Sequence, residues 1–64
     1  MKLNATHLKQ VKAAKKRIDD AAEILQQVQD ETVGYNSEAS ATLEEIGISL
    51  GFCINEIEEN LFNN

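Results

Sequence analysis

The residues of this 64-residue chain that could carry out chemistry are one histidine, one cysteine and eleven carboxylates. His7 stands near the start and Cys53 near the end, so a hairpin could bring them together as a metal-binding or nucleophilic pair. Two ligands do not complete a zinc site, and a Cys–His nucleophile also needs a cleft, an orienting residue and oxyanion donors. The sequence therefore predicts no metal site, and we expect Cys53 to be a small buried hydrophobic residue.

Several carboxylates stand in adjacent pairs, among them Asp19-Asp20, Glu44-Glu45 and Glu58-Glu59. Neighbours on a helix point about 100° apart, so such pairs do not converge on one substrate. Di-iron bundles need Glu-x-x-His motifs on facing helices, and the sequence has none. We therefore expect no catalytic residue and no cofactor, and hence a protein that is not an enzyme.

The elements that must position these residues are helices, because the chain has no proline and only three glycines. Apolar positions at alternating spacings of three and four predict a first helix over 4–32, capped by Asn4 or Thr6. Its seam, the stripe that packs against a partner helix, has two rows, Val11, Ile18 and Leu25, and His7, Ala14, Ala21 and Val28, and is widened by Leu8 and Ala22. Gly34 predicts a turn over 33–37.

A second helix is predicted over 38–61, capped by Asn36 or Ser37. Its seam positions are Ala39, Leu43, Ile46, Leu50, Cys53, Ile57 and Asn60, joined by Ile54 and Leu61. The stretch IGISLGFCI, residues 46–54, also alternates like a strand, but the helical spacing continues on both sides of it.

Glycine in a helix costs about 1 kcal/mol relative to alanine, so the two glycines of this stretch need a reason. Small residues on facing helices let two backbones approach closely. The sequence therefore predicts close helix packing at four small residues: Ala14, Ala21, Gly47 and Gly51.

These elements form one all-α domain over 1–64. A short connection makes the helices antiparallel, which gives a two-helix hairpin. A monomer of this size buries little of its surface, so we expect the hairpin to dimerise into a four-helix bundle.

Charge divides the chain, since all six basic residues precede residue 18 and all eleven acidic residues follow it. In an antiparallel hairpin the basic start lies beside the acidic end, where Glu56, Glu58 and Glu59 can pair with lysines. One helix face carries Lys9, Lys12 and Lys16, which offers nucleic-acid binding as an alternative. No aromatic residue interleaves with these lysines, and the net charge of −5 opposes approach to phosphate. A third alternative is an acidic mimic of DNA.

The outer face of the second helix carries Ile48 and Phe52 at positions i and i+4, pointing away from the seam. Ala41 lies in line with them and Phe62 to one side, among carboxylates. An apolar patch rimmed by charge is typical of an interface. The sequence therefore predicts partner binding at Ile48, Phe52, Ala41 and Phe62.

The stretch RIDDAAEILQQVQDE, followed by a turn and LEEIGISLGFCINEIEENL, resembles small helical-hairpin proteins encoded by phages and plasmids. The plan of two heptad helices and a short turn is similar to Rop-like hairpins. This resemblance implies pairing into an antiparallel four-helix bundle and, for that family, RNA binding. Here Tyr35, Phe52 and Phe62 lie outside the basic segment, so no functional residue is carried over.

The leading hypothesis is a non-enzymatic interaction protein, a helical hairpin that self-associates and binds or inhibits a protein partner. No stretch reads as a signal peptide or a membrane span, and the single cysteine leaves no internal disulfide. We expect the cytoplasm of a bacterium or of a phage-infected host, with no membrane partner and no small-molecule substrate.

Overall fold

The computed structural model describes residues 3–62, which form two helices that pack against each other. Helix α1 spans Ala5–Thr32 and helix α2 spans Ser37–Ile57, followed by a π-helical segment over Glu58–Phe62. No strand occurs in residues 3–62. The all-α hairpin is therefore confirmed, and the stretch 46–54 is helical throughout.

Both helices begin at an asparagine whose side chain caps the first turn. The Asn4 Oδ1 atom accepts a hydrogen bond from the His7 N–H at 2.7 Å, and the Asn36 Oδ1 atom accepts one from the Ala39 N–H at 3.1 Å. Each bond satisfies a backbone donor that the helix itself cannot pair, which contributes about 1 kcal/mol. Of the caps considered above, Asn4 and Asn36 are the ones used.

The turn between the helices depends on Gly34, whose φ of 95° lies in the left-handed region that glycine adopts without strain. Around it, the Val33 N–H donates to the Gln29 carbonyl at 3.0 Å and the Asn36 N–H donates to the Thr32 carbonyl at 2.9 Å. These bonds satisfy carbonyls at the end of α1 and bring α2 back alongside it.

The seam of the hairpin is displaced by one residue from half of the predicted positions. The half-buried residues of α1 that form it are Leu8, Val11, Lys15, Ile18, Ala22, Leu25, Gln29 and Thr32. In α2 and the π-helical segment they are Ser40, Leu43, Gly47, Leu50, Ile54, Ile57 and Leu61, of which Ser40 is the most buried, at 7% exposure. The predicted rows through Val11 and through Leu43 are thus confirmed.

The other predicted row of each helix is wrong except at Ala39, which is half-buried. His7, Ala14, Ala21 and Val28 of α1, and Ile46 and Cys53 of α2, are exposed. The observed seam covers Leu8, Ile54 and Leu61, which carry more apolar surface than His7, Cys53 and Asn60, so more area leaves water. Each helix has an apolar stripe two rows wide, and one neighbouring helix covers only half of it.

The hairpin is a rod one helix layer thick, with Cα extents of 47 × 15 × 11 Å. Its radius of gyration is 14.6 Å, against about 11 Å for a compact domain of this length. In residues 3–62 no hydrophobic side chain is fully buried, and Ser40 is the one buried residue. Stable domains enclose a hydrophobic core between two layers of secondary structure. This hairpin supplies one such layer, and its apolar side chains are covered from one side.

Two side-chain hydrogen bonds join the π-helical segment to the last turns of α2. The Asn60 side chain donates to the Glu56 carbonyl at 3.0 Å and to the Glu56 carboxylate at 2.9 Å. A π turn inserts one residue into the helical register, which turns Phe62 back towards α1. The Phe62 ring lies 5.9 Å from the Lys12 Nζ atom, a cation–π arrangement.

Candidate interaction surfaces

Two contacts at the open end of the hairpin show the register between the helices. The Lys15 Nζ atom lies 3.8 Å from the Glu58 carboxylate, and Lys12 lies over the Phe62 ring. Since the helices are antiparallel, counting away from these contacts places Ala21 beside Cys53 and Val28 beside Ile46. The two exposed rows therefore lie next to each other on one side of the hairpin.

We call this side the uncharged face, because none of the residues that form it is Asp, Glu, Lys or Arg. Its members are His7, Ala14, Ala21 and Val28 from α1 and Ala39, Ile46 and Cys53 from α2. Val28 and Ile46 are 38% and 39% exposed, and the neighbouring Ile24 is 59% exposed. Both helices contribute a row, so the face is broad and flat.

The histidine and cysteine of this face do not form a site together. Cys53 is exposed, so the prediction that it is buried is wrong. The register places Cys53 alongside residue 21, about 20 Å along α1 from His7 at 1.5 Å per residue. Within residues 3–62 no group of three or more His, Cys, Asp or Glu residues could hold a metal ion.

A second apolar surface lies on the far side of α2, which we call the outer face of α2. Ile48 and Phe52 are 54% and 66% exposed, one turn apart. Glu44 stands four residues before Ile48 and Glu56 stands four residues after Phe52. The apolar pair is therefore flanked by one carboxylate at each end. Ala41 is exposed as well.

The fourth residue predicted for this surface, Phe62, is separate from it. Its side chain is half-buried and covers Lys12 of α1, because the π turn moves it away from the row of Ile48. The structure therefore brings together Ile48, Phe52 and Ala41 on the outer face of α2, and leaves Phe62 at the edge of the hairpin.

A groove runs between the helices beside Ile48. Its lining combines small and amide side chains with one carboxylate: Ala22, Gln26, Gln29, Glu44, Gly47 and Ile48. The groove is open because Gly47 has no side chain, and a Cβ added at Gly47 or at Gly51 would meet nothing within 4 Å.

The close packing predicted at the small residues is therefore absent from the described hairpin. Gly47 lies in the seam but leaves a gap, and Gly51, Ala14 and Ala21 are exposed. The prediction is wrong for contacts within one chain, because the seam uses Ala22 and not Ala21.

The lysine face of α1 (Lys9, Lys12 and Lys16) is partly engaged within the chain. The Lys16 Nζ atom lies 3.3 Å from Asp20, and Lys12 lies over Phe62. Of the pairs predicted with the acidic end of the chain, the one that forms is Lys15–Glu58 at 3.8 Å.

Lys15 lies in the seam and also donates to Asp19 at 3.0 Å. That hydrogen bond raises the pKa of Lys15 above its ordinary value; partial desolvation opposes the rise, and the Asp19 and Glu58 charges add to it. A charged seam residue is thus satisfied by one carboxylate from each helix.

No helix in residues 3–62 combines the length and hydropathy that crossing a bilayer requires. Comparison with family models, curated proteins and solved structures finds nothing that matches this chain. The features that indicate function are therefore the uncharged face, the outer face of α2 and the distribution of charged residues.

Proposed function

We propose that this protein is a non-enzymatic interaction protein, a helical hairpin that self-associates into a four-helix bundle and binds or inhibits a protein partner through the outer face of α2. The observation that carries the proposal is the exposure of Phe52, 66% of whose surface faces solvent beside Ile48. Large apolar side chains at the centre of a charged patch act as binding anchors.

The charges around these anchors indicate the chemistry of the partner. Residues 37–62 contain six carboxylates and no basic residue. A partner that covers Phe52 must bring lysines or arginines to these carboxylates and an apolar pocket to the ring. The groove beside Ile48 can in turn accept a small apolar side chain of the partner. A basic protein surface fits this description.

Nucleic-acid binding through the lysine face is the rival proposal. Two of its three lysines already have partners within the chain, Phe62 for Lys12 and Asp20 for Lys16. Approach of phosphate would break these contacts and would work against the net charge of −5. An acidic mimic of DNA is a further rival, which would bind proteins through carboxylates alone.

The Rop-like plan supports a phage or mobile-element origin and a place of action in the cytoplasm. We include both in the proposal, on the strength of that resemblance.

The test compares Phe52→Ser with Tyr35→Ser, a matched exposed aromatic in the turn that is 78% exposed. Partners cross-linked to the wild-type chain in its native cell are identified, purified, and titrated with each variant. We expect Phe52→Ser to lose binding and Tyr35→Ser to keep it, with little dependence on salt. Equal binding by both variants would contradict the proposal.

Two further titrations separate the rivals. Neutralising Lys9, Lys12 and Lys16 to Gln abolishes binding if the ligand is nucleic acid, and binding then falls steeply with salt. If the chain binds a protein, if salt weakens that binding steeply, and if Phe52→Ser does not alter it, the acidic mimic of DNA is supported instead.

A further inference from the structure

We propose that a second copy of this chain docks on the uncharged face, with the turns of the two hairpins at opposite ends, so that Cys53 of each copy lies near the two-fold axis. This inference rests on the self-association part of the proposed function. It assigns that association to one face and leaves the outer face of α2 free for a different partner.

The first argument is area. A compact protein of 7.1 kDa is expected to expose about 4,100 Å², but this chain exposes 4932 Å². The excess of about 800 Å² matches the area that each partner contributes to a standard interface. One hairpin thus lacks the cover that a second hairpin of the same size can supply.

The second argument is the composition of the uncharged face. Interface cores are depleted in charged residues, and both rows of this face lack charge along the length of the hairpin. The nearest charged positions, Arg17, Glu31 and Glu56, lie outside the two rows, where a polar rim is expected. The outer face of α2, by contrast, has carboxylates in line with its apolar residues.

The third argument is charge, which selects the direction of packing. Residues 21–53, the half of the hairpin next to the turn, contain six carboxylates and no basic residue. In the described part of the open half, residues 3–20 and 54–62, there are five basic residues and five carboxylates. Two hairpins with their turns at the same end would superpose their acidic halves. With the turns at opposite ends, each acidic half lies beside a half whose charges balance, and the acidic part of each α1 lies beside the basic residues of the other α1.

The fourth argument is the size of the side chains. Along the uncharged face, Val28 and Ile46 lie towards the turn and Ala14 lies towards the open end, with Ala21 and Cys53 between them. In the opposed arrangement, Val28 of one copy lies over Ala14 of the other, which fills space evenly. The centre of this arrangement is Ala21 and Cys53, so α2 crosses its copy near Cys53.

Cys53, the single cysteine, tests this geometry without a substitution. A disulfide forms only when the two Cα atoms are within about 7 Å. Mild oxidation with diamide, which takes two electrons and two protons from a pair of thiols, should link two copies into a species of twice 7.1 kDa. We expect most of the protein to be linked at concentrations where sedimentation shows a dimer.

The control moves the thiol to the outer face of α2, as Cys53→Ser combined with Glu45→Cys. We expect this variant to dimerise equally and to cross-link at least tenfold more slowly. Faster linking at position 45 than at position 53 would overturn the proposed face and leave self-association standing. A wild-type chain that sediments as a folded monomer at about 100 µM would overturn self-association itself.

Discussion

The two apolar surfaces of the hairpin differ in how their residues are supplied and in what surrounds them. The uncharged face takes one row from each helix and has no charge within those rows. The outer face of α2 comes from one helix, and its anchors Ile48 and Phe52 stand in line with carboxylates. Exposure alone therefore does not decide the role of a surface: a flat uncharged face suits a copy of itself, whereas an acidic rim repels a copy and attracts a basic partner.

The largest effect is expected from placing a charge in the uncharged face. Ile46→Glu would bury an unpaired carboxylate in each copy at the interface, a change that costs about 3–5 kcal/mol for an uncompensated buried charge. We expect the variant to sediment as a monomer at concentrations where the wild type is a dimer.

Ile48→Glu is the matched control, since it makes the same change two residues away on the outer face of α2. We expect this variant to remain a dimer and to lose binding of a protein partner. If both variants dimerise normally, the distinction between the two surfaces is wrong.

Partner binding should be next in size. Phe52→Ser removes a central aromatic anchor, a change that costs about 2 kcal/mol or more at a binding hot spot, or about thirtyfold in Kd. Calorimetric titration of the purified partner measures this, and sedimentation of the same variant should still show a dimer. Loss of dimerisation in Phe52→Ser would show that one surface serves both purposes.

Substitutions of the glycines test the packing at and beside the seam, which lies between the uncharged face and the outer face of α2. Because a Cβ at Gly47 or Gly51 would meet nothing within 4 Å, alanine at either position should raise the free energy of unfolding by about 1 kcal/mol. Gly34→Ala should lower it, since its φ of 95° strains any other residue.

Urea unfolding at one fixed protein concentration measures all three glycine variants. Destabilisation by Gly47→Ala or Gly51→Ala would indicate a close approach by a second chain at the seam groove.

The smallest effect concerns Lys15. Its hydrogen bond to Asp19 raises its pKa in the folded hairpin, so the charged form contributes stability at neutral pH. That contribution is lost as pH rises above the ordinary lysine pKa and through the raised one. We expect Lys15→Met to show a shallower fall in unfolding midpoint between neutral and strongly alkaline pH than the wild type does. Identical pH profiles would show that the bond does not form in solution.

Much of the fold follows from local rules in the sequence. Asn4 and Asn36 as caps and Gly34 as the turn residue are short-range chemistry, and the structure uses all three. The helical spacing on both sides of Gly47 and Gly51 correctly outweighs the strand-like alternation of residues 46–54.

The seam could not be predicted completely, because its register is a choice between two adjacent rows of similar hydrophobicity. Ala21 and Ala22 are chemically identical neighbours. The spacing of apolar residues therefore does not tell which of the two faces α2. Total packing decides: covering Leu8, Ile54 and Leu61 outweighs covering His7 and Cys53.

A signal for the uncharged face was present in the sequence. An apolar stripe two rows wide in both helices indicates two neighbours for each helix, and a hairpin supplies only one. Taken as one seam, the two rows place Ile46 and Cys53 inside it, whereas both residues are exposed in the structure. The outer position of Ile48 and Phe52, which depends only on their angle from the seam, is confirmed.

The most direct test of the central claim, that a second copy covers the uncharged face and not the outer face of α2, is to record backbone amide NMR spectra of the wild-type chain while diluting it through the dimer–monomer transition. Signals from the uncharged face, such as those of Ala21, Ile46 and Cys53, should shift together with one dissociation constant, while those of Ile48 and Phe52 should hold their positions. Concerted shifts at Ile48 and Phe52, with the uncharged face unchanged, would contradict the account.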